Sequence, residues 1–257
     1  MSRRPGFPAR LPGAQQPQQR EPVRTATRAP APPPPGPMGL GMDSQAVRAR
    51  MVQKIAAQGL SDPLVLAAMH SVQRHRFVDT ALANQAYEDT SLPIGLEQTI
   101  SKPSVVARMI ELLLGGRREA TGRLGRVLEI GTGCGYQAAV LGCVAAEVYS
   151  IERLRGLHDK ARDNLRPFRL PNVHLLLGDG MIGYAKGAPY AGIIAAAGGE
   201  AMPQAWIDQL ADGGRIIAPM HVHGGKQALV VVEKTGAQVK QTVLESVHFV
   251  PLKSGLA

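Results

Sequence analysis

The feature that most constrains this chain is a short apolar run followed at once by alternating glycines, VLEIGTGCGYQ at residues 127–137. The apolar residues are typical of a strand buried in a parallel sheet. Glycine takes the positive φ angles of a tight strand-to-helix turn and lets a ligand lie against bare backbone. The stretch therefore predicts a βα unit whose helix, rich in small residues, runs from Gln137 to Val144.

The spacing of the glycines separates two kinds of nucleotide-binding loop. Gly131, Gly133 and Gly135 follow the pattern G-x-G-x-G, whereas dinucleotide-binding loops follow G-x-G-x-x-G. With Glu129 ahead of it, the loop resembles the first motif of the S-adenosylmethionine (AdoMet) methyltransferases. An ordinary tight turn in an α/β sheet is the alternative at this point.

Size and charge limit the classes of protein to consider. A chain of 257 residues can bury one good-sized domain, and an aromatic content of 4% predicts an aliphatic core. Residues 1–42 carry six arginines and one glutamate, so of the net charge of +9 only +4 remains for the rest. That charge is too small for a nucleic-acid footprint, and no apolar run approaches the roughly 18 residues of a membrane span. We expect neither nucleic acid nor a membrane as partner.

The first 42 residues differ in composition from the remainder. They are rich in Pro, Arg, Gln, Ala and Gly, and APAPPPPGP at 29–37 has polyproline character, so we expect a disordered tail. The proline density opposes an amphipathic transit peptide, and the stretch lacks the apolar core of a secretory signal. Given the resemblance of the glycine loop, we expect residues 43–257 to form one methyltransferase domain, with a helical and substrate-loop region at 43–115 and an AdoMet-binding sheet at 124–257. The two cysteines show no disulfide or CxxC spacing, which favours a reducing compartment and a cytoplasmic protein.

Hydrophobic periodicity predicts the order of the elements. A first helix is capped by Asp43 or Ser44 and ends at Gly59, a second begins at Asp62 and Pro63, and a third begins at Pro103. Residues 73–103 lack clear periodicity and suggest a folded loop region near a site. Strands at 126–130, 147–151, 173–177, 191–196 and 214–218 then alternate with helices at 136–145, 153–165 and 203–211. This alternation predicts a parallel sheet, to which a hairpin turn at Gly224 and Gly225 and a strand at 239–246 add an antiparallel edge.

Acidic residues follow two of the predicted strands. Glu152 ends the second strand, where a carboxylate can bind both ribose hydroxyls of a nucleoside, and Asp179 follows the third, where it can receive an adenine amino group. Each acid could instead cap a helix or lie in an exposed loop. Their occurrence at successive strand ends favours an AdoMet site. The expected cofactor-binding residues here are Glu129, Gly131, Thr132, Gly133, Gly135, Glu152, Arg153, Asp179 and Gly180.

The remaining reactive residue types give no second site. His221 and His223 are separated by one residue beside two glycines, which is simple strand alternation rather than a ligand pair, so we expect no metal. Cys134 lies between two loop glycines without a His–Asp pair to activate it, and we interpret it as a spacer.

A second stretch, AYEDTSLPIGLEQTISKPSVVARM at 86–109, resembles the PIGxGQTISxPxxVA signature of the protein-L-isoaspartate O-methyltransferases. Similar segments at 51–78, 210–220 and 247–252 extend the resemblance over residues 44–252. It implies a Rossmann-like class I methyltransferase fold. Such a fold has a mostly parallel seven-stranded sheet, an antiparallel C-terminal edge hairpin and an N-terminal helical region.

The resemblance also implies an activity. The family methylates the free α-carboxylate of L-isoaspartyl residues in damaged proteins and peptides, and the ester closes to a succinimide whose hydrolysis restores some aspartate. The active-site serine of the family corresponds to Ser101, with Thr99 beside it, and the methionine end of AdoMet would meet Gln98, Thr99, Ile100 and Ser101. A capping hydroxyl at the start of the third helix is the alternative for Ser101. Nothing marks a self-complementary interface, so a monomer is the default expectation.

Four positions depart from the family pattern. Glu97 stands where the signature has glycine, Gln73 replaces a proline, Ala191 replaces an aspartate and His248 replaces an arginine. Glu97 puts the backbone geometry and local charge of the loop in question. The rate of the reaction and the substrate preference are in question for the same reason. Two other functions stay open: a methyltransferase of the same fold with another acceptor, and a module that binds AdoMet without catalysis.

Overall fold

A computed structural model of the chain describes residues 45–116, 118–222 and 225–257. The tail expected at 1–42 lies outside the described residues. So do the proposed helix caps Asp43 and Ser44 and the hairpin residues His223 and Gly224. Within the described ranges, none of the helices has the length and apolar character that spanning a bilayer requires.

The N-terminal region begins with two helices, as predicted. Helix α1 spans Gln45–Ala57 and is followed by Gly59 at a φ of 103°. Helix α2 spans Pro63–Ser71, and its cap Asp62 accepts hydrogen bonds from the backbone N–H groups of the next turn. A carboxylate that satisfies the first free N–H groups, followed by proline at the first helical position, explains why α2 begins here.

The loop region expected at 73–103 contains more regular structure than the sequence indicates. Two short 3-10 helices, Arg74–Phe77 and Thr80–Gln85, precede an antiparallel hairpin of β1 (Leu92–Gly95) and β2 (Gln98–Ile100). Helix α3, Pro103–Leu114, then begins at the predicted proline. Strands of three and four residues are too short to show an alternating pattern, which is why the hairpin was not predicted.

The remainder of the chain forms a seven-stranded sheet with helices between its strands. The elements are β3 (Leu124–Ile130), α4 (Tyr136–Val144), β4 (Ala145–Glu152), α5 (Arg155–Leu165), β5 (Val173–Leu177), β6 (Tyr190–Ala195), α6 (Gln204–Gln209), β7 (Leu210–Val222), β8 (Lys226–Thr235) and β9 (Gln238–Ser246). The strand order is β5-β4-β3-β6-β7-β8-β9. Strands β3 to β7 pair in parallel, whereas β8 is antiparallel to both β7 and β9. The predicted fold class is therefore confirmed.

Two apolar cores cover the two faces of this sheet. Successive strand residues point to opposite faces, so Val127 joins the core beneath α1–α5 while Leu128 joins the core that contains Trp206 of α6. The strand order reverses between β3 and β6, which pair side by side. Ligands of open α/β sheets bind in the crevice outside the carboxyl ends of the strands at such a reversal.

Candidate active site

A cavity of about 470 Å³ lies at this reversal, between the carboxyl ends of the strands and the β1–β2 hairpin. Its size is in the range of sites that bind a cofactor or other small molecule. Most of the predicted site residues line it: Gln98, Thr99, Ile100, Ser101, Gly131, Thr132, Gly133, Glu152, Arg153 and Gly180. The structure places Glu129, Gly135 and Asp179 behind or beside this wall rather than in it.

The glycine loop has the conformation that the sequence predicts. Gly131, Gly133 and Gly135 have φ angles of 88°, 57° and 92°, a region that residues with a side chain seldom adopt. A Cβ atom on Gly133 would also lie 3.2 Å from Ile94 of the hairpin. The loop thus presents bare backbone to the cavity because both its dihedral angles and the space around it require glycine.

Glu152 is held in one orientation at the end of β4. One carboxylate oxygen accepts from the N–H of Gly133 at 2.9 Å, and the other accepts from the N–H groups of Arg153 and Leu154 at 2.9 and 3.0 Å. The side chain is only 5% exposed and lines the cavity. Three backbone donors therefore fix a carboxylate where the sequence predicts a contact with ribose hydroxyls.

Glu129 supports the glycine loop from behind. Its fully buried carboxyl accepts a hydrogen bond from Ser150, whose hydroxyl is 2.6 Å from the hydroxyl of Thr132 in the loop. Burial raises the pKa of Glu129 to about 8, and the hydrogen bond from Ser150 opposes that rise. This position suits support of the loop, and a direct contact of Glu129 with the cofactor stays a prediction.

Asp179 already uses both carboxylate oxygens. One accepts from the N–H of Met181 at 2.8 Å and caps the short 3-10 helix Gly180–Ile182, while the other accepts from the N–H of Gly255 at 2.7 Å. The capping role that was the alternative in sequence is therefore present. Recognition of adenine by this carboxylate stays a prediction.

The C-terminal segment 250–257 contributes lining residues that were not predicted from the sequence. Residues 250–253 line the cavity. The segment pairs with Gly198 after β6 and reaches Arg153 after β4, whose guanidinium donates to the carbonyl of Gly255 at 2.9 Å. The resemblance at 247–252 was the one signal that could have found it, because an irregular segment has no periodicity.

Ser101 lies between β2 and α3, half-buried in the cavity wall. The cap position of α3 belongs to Lys102 and has no side-chain hydrogen bond. Among the described residues, the Ser101 hydroxyl has no hydrogen-bond partner, although its backbone carbonyl accepts from Arg74 at 2.8 Å. The capping alternative is thus not supported, and the hydroxyl remains available to a ligand.

The turn of the β1–β2 hairpin accommodates the unusual Glu97. Leu96 and Glu97 have φ angles of 51° and 59°, so Glu97 takes the left-handed conformation that the family glycine would adopt freely. Both residues line the mouth of the cavity. The departure from the family pattern therefore leaves the turn in place and adds a carboxylate to the entrance.

Cys134 also lines the cavity, and its chemistry agrees with the spacer interpretation. It is 3% exposed, and burial raises the pKa of its thiol to about 11. A thiol with that pKa is protonated near neutral pH and a poor nucleophile.

Comparison with known proteins identifies one family of methyltransferases. Residues 46–257 match the family model described as protein-L-isoaspartate(D-aspartate) O-methyltransferase (PCMT). A protein-L-isoaspartate O-methyltransferase of Methylibium petroleiphilum is 61% identical over 217 residues, covering 84% of this chain and 80% of the relative. One of Leptothrix cholodnii is 59% identical over 217 residues, covering 84% and 76%.

Solved structures show the same fold. A structure named protein-L-isoaspartate O-methyltransferase aligns with a TM-score of 0.71 and 27% identity, covering 81% of this chain and 67% of that one. A Plasmodium falciparum protein assigned the same name, crystallised with S-adenosyl-L-homocysteine, aligns with a TM-score of 0.66 and 20% identity, covering 80% and 98%.

Proposed function

Because the chain belongs to the protein-L-isoaspartate(D-aspartate) O-methyltransferase family, we propose that the cavity beneath the β1–β2 hairpin is its active site. The enzyme transfers a methyl group from AdoMet to the free α-carboxylate of L-isoaspartyl residues in damaged proteins and peptides. The assignment of the site rests on the position of the Ser101 side chain. Its hydroxyl lacks a partner among the described residues and shares one cavity with the glycine loop and Glu152.

The residues of the cavity fit AdoMet. A Cβ on Gly180 would lie 2.4 Å from Ile130, and one on Gly133 would lie 3.2 Å from Ile94, so glycine at these positions lets the backbone pack closely against two side chains of the cavity wall. Residues 131–133, Glu152 and Gly180 would hold the nucleoside, and the segment 98–101 would meet the methionine end. When bound, AdoMet supplies the methyl group together with a good leaving group, because its sulfur is a sulfonium.

The methyl acceptor needs no general base. An α-carboxyl group has a pKa of roughly 3.5, so the nucleophile is already ionised at neutral pH. The cavity wall, as far as the chain is described, contains no histidine, in agreement with a reaction that requires no proton transfer. The protein must instead bring a carboxylate oxygen into line with the methyl carbon, and alignment of this kind can supply on the order of 7–11 kcal/mol.

Ser101 and Thr99 provide the donors for that alignment. A carboxylate that enters the cavity loses water, and this loss is costly unless protein donors replace the lost hydrogen bonds. The Ser101 hydroxyl donates to the carboxylate, with Thr99 and loop N–H groups as further donors. The role is positioning, and no covalent intermediate on Ser101 is expected.

Cytoplasmic location and a monomeric state are further parts of this proposal. Cys134 and Cys143 are both free thiols, which suits a reducing compartment. Light scattering of the purified chain at micromolar concentration should give the mass of one copy, and a mass of two copies would contradict the monomer.

Transfer of labelled methyl from AdoMet tests the activity. The acceptors are an isoaspartyl peptide and its aspartyl twin, which differ only in the linkage at one residue. We expect the isoaspartyl peptide to be labelled and the twin to remain unlabelled. Labelling of another acceptor class alone would identify a different methyltransferase of this fold, and AdoMet binding without any transfer would identify a binding module.

A further inference from the structure

Arg74 is a fully buried arginine that the reaction as described does not use. It lies in the 3-10 helix after α2 and is 0% exposed. Burying a cation is costly unless its donors are satisfied, and a carboxylate is its usual partner. Here the hydrogen-bond partners found among the described residues are backbone carbonyls: Nε donates to Ala86 at 2.8 Å, and Nη2 to Ser101 at 2.8 Å and Thr90 at 3.4 Å.

The rest of the guanidinium faces the cavity wall. Its carbon lies 4.9 Å from the ring centroid of Tyr136, the first residue of α4, and Nη1 is buried without a hydrogen-bond partner among the described residues. The carboxylate of Asp89, which acts on Arg74 through its charge, accepts hydrogen bonds from the N–H and hydroxyl of Ser104 at 2.9 and 2.8 Å. Burial lowers the pKa of Arg74 and Tyr136 opposes the shift, but an arginine remains charged at neutral pH.

Two of the groups that Arg74 contacts belong to the active site. Ser101 and Tyr136 both line the cavity, one from the hairpin side and one from the glycine-loop side. The guanidinium therefore contacts two residues of the cavity wall from the protein side. Its planar fork fixes the Ser101 carbonyl against the loop 86–90, and the position of that carbonyl sets the position of the serine side chain.

We propose that Arg74 is a positioning residue for methyl transfer. By holding the backbone of Ser101, it aims the serine hydroxyl at the substrate carboxylate. This inference rests on the proposed function, since it assigns Arg74 a role in that reaction. A simple structural anchor would tie the same segments together without any effect on turnover beyond that of lost stability.

Arg48 offers a matched control within the same region. It is also a buried arginine, at 9% exposure, and its Nε donates to the backbone carbonyl of His70 in α2. Its Nη1 is likewise buried without a hydrogen-bond partner among the described residues. Arg48 is not part of the cavity wall. Its replacement should therefore lower stability and leave turnover unchanged.

A double-mutant cycle between Arg74 and Ser101 tests the proposal. The variants are Arg74→Met, Ser101→Ala and the two combined, with Arg48→Met as control. Turnover and KM are measured with an isoaspartyl peptide, beside AdoMet affinity and melting temperature. We expect Arg74→Met to lower kcat roughly 10- to 150-fold, the loss of one charge-assisted hydrogen bond, at near wild-type AdoMet affinity. In the Ser101→Ala background the same change should lower kcat by less than about threefold, because interacting residues are not additive.

Two outcomes of this cycle would contradict the positioning role. Losses that multiply in the combined variant, or wild-type kcat in a less stable Arg74→Met, would overturn the positioning role. If Arg74→Met does not fold, Arg74→Lys completes the same cycle, and its kcat should lie between those of wild type and Ser101→Ala. Absence of methyl transfer by the wild-type enzyme would overturn the proposed function, and the inference with it.

Discussion

At the scale of single residues, the proposed reaction rests on the hydroxyl of Ser101. If it only orients an ionised carboxylate, Ser101→Ala should lower turnover roughly 10- to 150-fold, the value of one charge-assisted hydrogen bond. AdoMet affinity and melting temperature should stay near wild type, because the hydroxyl has no partner among the described residues. Turnover, calorimetry and thermal denaturation of the one variant provide the three readings.

Ser104 serves as control for that experiment. Ser104 follows Ser101 by three residues, its hydroxyl donates to Asp89 at 2.8 Å, and it does not line the cavity. Ser104→Ala should therefore lower stability and spare turnover. Wild-type turnover in Ser101→Ala would exclude the positioning role, and complete loss with a trappable modified enzyme would indicate a nucleophile instead.

Glu129 gives the fold a measurable dependence on pH. Its pKa is about 8 in the folded chain against 4.5 for the ordinary group, so between these values the folded state binds a proton that the unfolded state has released. Stability from this group is complete below pH 4.5 and is lost as pH rises towards 8. We expect the free energy of unfolding without AdoMet to fall from pH 5.5 to 8 by more in the wild type than in Glu129→Gln.

Glu147 is the matched carboxylate for this measurement. It lies on the neighbouring strand β4 and pairs with Arg126 at 3.0 Å on the surface, where both side chains are well exposed. Glu147→Gln should keep the wild-type pH dependence, since exposed pairs contribute little. Equal slopes for the wild type and Glu129→Gln would show that Glu129 does not cause the loss.

At the scale of elements, the β1–β2 hairpin carries a conformational cost at its turn. Leu96 and Glu97 are both left-handed, which costs a residue with a side chain roughly 1–2 kcal/mol and glycine almost nothing. Glu97→Gly should therefore raise the free energy of unfolding by about 1 kcal/mol in chemical denaturation. Glu88 is an exposed glutamate of the same loop that does not have a left-handed backbone, so Glu88→Gly should not raise the free energy of unfolding. Destabilisation by Glu97→Gly would show that the left-handed conformation carries no such cost.

The end of β5 and the C-terminal segment meet at Asp179. As an acceptor for adenine, this carboxylate should contribute roughly 1–3 kcal/mol to AdoMet binding, and Asp179→Ala should weaken binding by that amount in calorimetry. A chain that ends at Lys253 removes the N–H of Gly255 and keeps the carboxylate. If this truncation weakens binding as much as Asp179→Ala does, the carboxylate acts by anchoring the segment rather than by binding adenine.

Elements with strong local patterns could be predicted from the sequence, and contacts between distant segments could not. The run 126–130 and the prolines at 63 and 103 mark a strand and two helix starts through residues that are adjacent in sequence. By contrast, Asp179 depends on Gly255, 76 residues away, and Arg74 on Ser101, 27 residues away. No periodicity records such pairs, so these two contacts became visible only in the structure.

The whole molecule builds one cavity from widely separated parts of the chain. The hairpin forms one wall, the strand ends another, and residues 250–253 a third. Lys160 of α5 ties the hairpin to the sheet region, because its ammonium donates to the carbonyl of Ile94 at 2.8 Å and pairs with Asp79 at 3.2 Å. We therefore expect the alignment that methyl transfer requires to depend on contacts of this kind between the walls.

Repair of an isoaspartyl peptide is the reaction that this fold should perform as a whole. The measurement is a time course with AdoMet and a small amount of enzyme, in which chromatography separates the isoaspartyl, succinimide and aspartyl forms. We predict that the isoaspartyl form declines through the succinimide and that the aspartyl form accumulates, with far slower conversion by Ser101→Ala. An isoaspartyl form that persists with active AdoMet present, or an aspartyl peptide methylated equally well, would contradict the assignment.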